Sequence, residues 1–136
     1  MKKQLFLVSI LLVLLSSCSL DDGTADFYLE VMPITSVEVP DHFVLGETYE
    51  INITYMRPNS CYVFNDFIYD INEQERTVVV VNTVYNTLCT GEPEDVTVNF
   101  TFPVNGTETY VFKFYQGEDE NGEDQYFLVE IPVMDE

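Results

Sequence analysis

Thr48-Tyr49-Glu50-Ile51-Asn52-Ile53-Thr54-Tyr55 alternates polar and apolar residues without a break. In an extended chain successive side chains point to opposite faces. Tyr49, Ile51, Ile53 and Tyr55 therefore share one face, and Thr48, Glu50, Asn52 and Thr54 the other. One dry and one wet face is the pattern of an antiparallel sheet packed on a single side. The same period recurs further on. Asp95 to Phe102 sets Val96, Val98, Phe100 and Phe102 against Asp95, Thr97, Asn99 and Thr101. Tyr110, Phe112 and Phe114 repeat it, as do Phe127, Val129, Ile131 and Val133. No segment keeps a helical period over three turns.

The remaining segments are less regular. Phe27 to Met32 and Val37 to Val39 read as one N-terminal strand bent near Pro33. Residues 61–71 and 77–85 are apolar on both faces, which predicts a central place for both. Asn72-Glu73-Gln74-Glu75 makes the turn between them, and Gly46-Glu47, Gly91-Glu92-Pro93, Asn105-Gly106 and Asn121-Gly122 mark others. The count is about seven strands, at 27–39, 47–56, 61–71, 76–85, 95–102, 108–116 and 125–133. So many short strands in one small domain predict an all-β fold, an immunoglobulin-like antiparallel β-sandwich, with a small closed barrel as the alternative. The chain has no Trp, so the tryptophan of antibody-type domains is missing.

Ahead of this domain, Lys2 and Lys3 precede an apolar run from Leu5 to Leu15 broken only by Ser9, and then Ser16-Ser17-Cys18. A basic start, a short apolar stretch and small residues read as a secretory signal. The run is about half the roughly 20 apolar residues that span a bilayer. Leu15-Ser16-Ser17-Cys18 resembles the lipobox of bacterial lipoproteins. That resemblance implies cleavage before Cys18, a diacylglyceryl group on its thiol and acylation of the new amine. The domains predicted are a lipoprotein signal peptide at 1–17, a flexible tether at 18–26 and the sandwich at 27–136.

Cleavage there leaves 119 residues, enough for one core and too few for two. All 24 acidic residues lie in that part, with only Arg57, Arg76 and Lys113 against them, a net charge of −21. Such a surface is repelled by nucleic-acid phosphates and by anionic lipid headgroups. No nucleic-acid partner is expected, and contact with the membrane falls to the acyl chains of the anchor. The periodic apolar segments distinguish the chain from a disordered acidic one.

With Cys18 taken by lipid, Cys61 and Cys89 remain in an exported, oxidising location. Folding back at 72–75 puts both at the same end of a hairpin, within the roughly 7 Å Cα separation that a disulfide needs. Closing a loop of that size stabilises by about 3.5 kcal/mol on the chain-entropy view. Two free buried thiols are the alternative.

Catalytic residues are hard to find. His42, in Pro40-Asp41-His42-Phe43, is the lone imidazole and reads as a solvated loop residue. The chain is accordingly expected not to be an enzyme. Gly117-Glu118-Asp119-Glu120-Asn121-Gly122-Glu123-Asp124-Gln125 crowds five carboxylates between two strands. Asp119, Asn121 and Asp124 around Gly122 partly resemble an EF-hand loop, which makes them candidate ligands for a millimolar calcium ion. No other cofactor is expected. The plain alternative is a solvated hairpin turn nucleated at Asn121-Gly122. Tyr28, Tyr62, Tyr85, Tyr115 and Tyr126 have no assignable face and could contribute to a binding patch.

Taken with Tyr55-Met56-Arg57-Pro58-Asn59-Ser60-Cys61, Cys89-Thr90 and Tyr110-Val111-Phe112-Lys113-Phe114-Tyr115-Gln116-Gly117, the lipobox makes nearly the whole chain similar to small lipoproteins of Gram-negative bacteria with one immunoglobulin-like domain. Ser19-Leu20-Asp21-Asp22 is similar to the acidic stretch that directs some of them to the outer cell surface. The resemblance implies a lipid-anchored protein of the cell envelope, at the outer membrane and displayed outward. From acidity and fold together, the expectation is a non-enzymatic binding module with a protein or polysaccharide partner at the envelope. The alternative is a structural or calcium-stabilised envelope component without a soluble ligand.

Overall fold

The computed structural model describes Asp26–Asp135. Cys18, the signal segment at 1–17 and all of the tether except Asp26 lie outside the described residues. Ten strands follow one another: β1 (Phe27–Met32), β2 (Ile34–Glu38), β3 (Phe43–Val44), β4 (Thr48–Arg57), β5 (Tyr62–Asn72), β6 (Glu75–Tyr85), β7 (Glu94–Pro103), β8 (Tyr110–Glu118), β9 (Asp124–Ile131) and β10 (Val133–Met134). They form an all-β sandwich, consistent with an immunoglobulin-like fold. One layer is β2-β4-β7; the other holds β5, β6, β8 and β9, with β1 also paired to β6.

The alternating stretches do what their pattern predicts. Ile51, Ile53 and Tyr55 of β4 and Phe102 of β7 are buried against Val78, Val80, Phe112 and Phe114 of the facing sheet. Burial outweighs the pull of the neighbouring Asn82 and Arg57 and raises the Tyr55 phenol above its usual value. Phe43 is fully buried at one end of this core, with ring centroids 4.9 Å from Tyr49, 5.2 Å from Phe102 and 5.9 Å from Tyr110. Tilted and edge-on aromatic pairs at these distances contribute about 0.5–1.5 kcal/mol each beyond the area they bury.

Several expectations need correcting. The single N-terminal strand is two strands in different sheets: β1 pairs with β6 and β2 with β4, and the chain crosses between layers at Pro33. Proline lacks the N–H that a continuing ladder would use, so the switch falls there. β8 passes beneath this corner at Gly117, where φ is +98° and an added Cβ would lie 3.3 Å from Pro33 Cγ. β5 is an edge strand, not a central one, since it pairs only with β6. Its outward apolar residues are exposed. The predicted strand at 125–133 breaks at Pro132, and β10 turns away to pair in parallel with β3. Phe127, expected inside, is exposed. A second parallel pair, β6 with β8, sits inside the otherwise antiparallel large sheet.

The Cys61–Cys89 disulfide forms at the hairpin end, with Cα atoms 5.3 Å apart. Beside it the Tyr85 amide donates to the Cys61 carbonyl and the Asn86 amide to the Asp26 carbonyl. The disulfide and the entry of the chain therefore share one pole of the sandwich.

At the opposite pole, the Gly106 amide donates to the hydroxyl of Tyr110, the first residue of β8, at 2.9 Å. A tyrosine at the start of a strand bonding back to the preceding loop is the tyrosine corner of Greek-key sandwiches. A Cβ on Gly106 would meet that hydroxyl at 2.9 Å, so a side chain there would push the Tyr110 hydroxyl out of place. Tyr110→Phe leaves the Gly106 amide without this partner and should lower stability by about 1–3 kcal/mol in urea denaturation at unchanged m-value.

Candidate functional site

Near the β5–β6 turn a cleft of about 420 Å³ opens between β5 and β7. That size falls in the range of about 300–1,000 Å³ usual for small-ligand sites. Phe67 and Tyr69 of β5, Phe100 of β7 and Tyr110 of β8 contribute aromatic walls, and Asp66, Arg76 and Asn105 add polar groups.

A local irregularity aims the β5 side chains. Tyr62 and Phe64 face inward, and unbroken alternation would send Asp66, Ile68 and Asp70 after them. The β-bulge between Phe64 and Asp66 inserts one residue and turns Phe67, Tyr69 and Ile71 inward instead. Phe67 and Tyr69 then meet Phe100 across the cleft at centroid distances of 5.4 Å and 5.7 Å. Tyr69 remains 39% exposed, so its ring is available to a ligand.

Arg76 opens β6 on the inner face. Its Nη1 donates to the carbonyls of Glu73 (2.7 Å) and Glu75 (2.9 Å), and its guanidinium carbon lies 5.1 Å from the centre of the Tyr110 ring. These contacts brace the tight turn, in which Glu73 takes a left-handed φ of 54°. They use both hydrogens of Nη1, and the Tyr69 phenol is a further partner of the guanidinium. The only salt bridge among the described residues joins Arg57 to Glu94, so no carboxylate neutralises Arg76. Burial pushes the Tyr69 phenol above its usual value, and Arg76 draws it part of the way back. Chemically, the cleft offers flat apolar surfaces with donors from Arg76 and both a donor and an acceptor from the Asn105 amide.

The residues singled out from the sequence lie elsewhere. Asp119, Asn121 and Asp124 occupy the exposed β8–β9 hairpin turn. Asp119 Oδ1 accepts from the amides of Asn121 (2.8 Å) and Glu123 (3.0 Å), and Oδ2 accepts from Gln125 Nε2 at 3.3 Å. That carboxylate holds the turn together. Among the described residues no three Asp, Glu, His or Cys side chains converge in a way that could hold a metal. His42 is exposed in the β2–β3 loop.

Of the five unassigned tyrosines, Tyr115 is buried, Tyr28 and Tyr85 are exposed, and Tyr62 and Tyr126 are half-buried. Burial, then Glu30 and Tyr28 nearby, push the Tyr62 phenol up to about 12. The cleft itself escaped the sequence reading. Its one signal was Arg76, a cation in a chain of carboxylates, set among aromatic strands.

No family model matches the chain, and no curated protein or solved structure matches it.

Two outcomes follow from these contacts. Arg76→Gln removes the charge that favours the Tyr69 phenolate, so the Tyr69 ¹³Cζ titration should move to still higher pH. A raised folded-state value keeps its stabilisation below pH 10, the ordinary value, and loses it as pH rises toward the folded value; the alkaline loss should be larger in this variant. Asp119→Ala deletes three acceptor contacts in the β8–β9 turn and should cost about 1–2 kcal/mol in thermal or urea unfolding.

Proposed function

We propose that this chain is a lipid-anchored protein of the cell envelope, acylated at Cys18 and displayed from the outer membrane, which acts as a non-enzymatic binding module. Its ligand is a neutral segment of an envelope polysaccharide seated in the β5–β7 cleft. The aromatic cleft itself carries the reading. A sugar ring has flat C–H faces for Tyr69 and Phe100 and hydroxyls for Arg76 and Asn105, and a site with both donors and an acceptor suits hydroxyls better than a bare ion. Neither His nor Cys lines the cleft, which favours binding over turnover.

Charge argues for neutrality of the ligand. A mature chain of net charge −21 repels anions at a distance. Arg76 sits close to Glu73 and Glu75, which work against an acidic ligand, while its own charge works against a cation. A neutral glycan avoids both penalties.

The anchor is tested by radiolabelled palmitate, which should enter the wild type and not Cys18→Ser. Ligand binding is tested by the melting temperature in cello-, malto- and chito-hexaose. At least one should raise it, Tyr69→Ala should abolish the rise, and the affinity should be unchanged between about 0.05 and 0.5 M salt. No shift with any of the three, together with steeply salt-dependent binding of polylysine, would replace the cleft with the acidic surface as the binding element.

A further inference from the structure

The outer face of the large sheet inverts the usual rule that the solvent side is polar. Ladder register places Phe27 beside Tyr85, and Leu29, Thr83 and Val63 in one row across β1, β6 and β5. Phe27, Leu29, Val63 and Tyr85 are all large exposed apolar residues, Leu29 at 58%. These two rows carry no charge in a chain with 24 carboxylates. Acid returns in the following row, where Asp66 pairs with Val81. Leu88 stands beyond the end of β6 and is 91% exposed, in the loop that the Cys61–Cys89 disulfide clamps to the same pole. A contiguous apolar patch of this kind marks an interaction surface.

The position of the patch says what covers it. It adjoins the point where the chain enters the domain, and eight residues separate Phe27 from Cys18. Fully extended, that distance cannot exceed about 32 Å. An anchor at Cys18 therefore makes this the pole nearest the point of attachment to the bilayer. We propose that the pole formed by Leu88, Phe27, Leu29, Val63 and Tyr85 seats in the interfacial layer of a lipid bilayer, with Leu88 as the deepest residue. The inference rests on the anchor in the preceding reading and is independent of the cleft. Asp26 directly precedes Phe27 and Glu92 follows Cys89 by three residues, so uncharged or zwitterionic lipid is the surface that fits, and anionic lipid is disfavoured.

The test uses the full chain, reconstituted in phosphatidylcholine vesicles that contain a diazirine-bearing acyl chain. Intact mass establishes acylation; photolysis and peptide mapping then locate the adducts. Adducts are expected on peptides carrying Phe27–Leu29 and Tyr85–Leu88. They should fall several-fold in Leu29→Asp/Leu88→Asp, and also when phosphatidylglycerol replaces half the lipid. Adducts confined to residues 18–25, or equal on the outward face of β4 (Glu50, Asn52, Thr54), would overturn the seating while leaving the anchor intact. An intact mass without acyl chains would overturn the anchor and the seating together. If Cys18→Ser dimerises in lipid-free buffer and Leu29→Asp abolishes the dimer, the face belongs to a second copy of the chain.

Discussion

Phe102 packed among Phe43, Tyr110 and Phe112 is the contact on which the rest of the molecule depends. Its ring lies 5.0 Å from Tyr110 and 5.1 Å from Phe112, in addition to Phe43, so one side chain of β7 joins two other elements, β8 and β3. Because the rings are tilted or edge-on, the cluster constrains orientation as well as separation. The Tyr110 hydroxyl reaches the loop at Gly106 from this cluster, and the Tyr110 ring lies under Arg76. The cleft is thus the outer surface of the best-packed part of the core, and its walls are set by residues that cannot move independently.

The opposite pole is held in another way. There the chain enters at β1 and is closed by the Cys61–Cys89 bridge. Backbone pairing and a covalent link act there beside the buried ring of Tyr55. Phe27 and Leu29 at that end face outward. Between Arg76 and Tyr85, β6 separates the two poles by about 30 Å, nine residues at the rise of a strand. The apolar face proposed to meet lipid and the cleft proposed to take a ligand therefore lie too far apart to obstruct one another.

How much of this could be read from the chain depended on whether a residue's partners are near in sequence. Thr48–Tyr55 and Asp95–Phe102 were legible because alternation records one dry face and one wet face directly. The disulfide was legible because a single turn at 72–75 relates both cysteines. β5 was misread as central because Val63 and Ile68 look like burial on a second face when they are exposed outer positions. The bulge after Phe64 hid the cleft, since it shifts Phe67 and Tyr69 out of the phase that simple alternation predicts. Tyr69 meets Phe100 only through the packing of two sheets, which a linear pattern does not encode. The acidic 117–125 segment suggested cation ligands; what the pattern did not show is that one of its carboxylates, Asp119, accepts from the amides of Asn121 and Glu123 and so shapes the turn. The Pro33 crossing showed in the sequence as a bend, and only the pairing of β2 with β4 identifies it as a change of sheet.

The pairing of β1 also has a mechanical consequence. Its six residues run antiparallel to the end of β6, with Phe27 opposite Tyr85 outermost, and beyond Pro33 the chain continues into the other sheet. Tension applied upstream of Asp26 along the strand axis shears all of these rungs at once and is passed through the corner to both layers. The same tension applied sideways unzips the rungs singly, starting with Phe27 and Tyr85. Resistance to extraction is thus anisotropic: the domain tolerates a lengthwise tug far better than a lateral one.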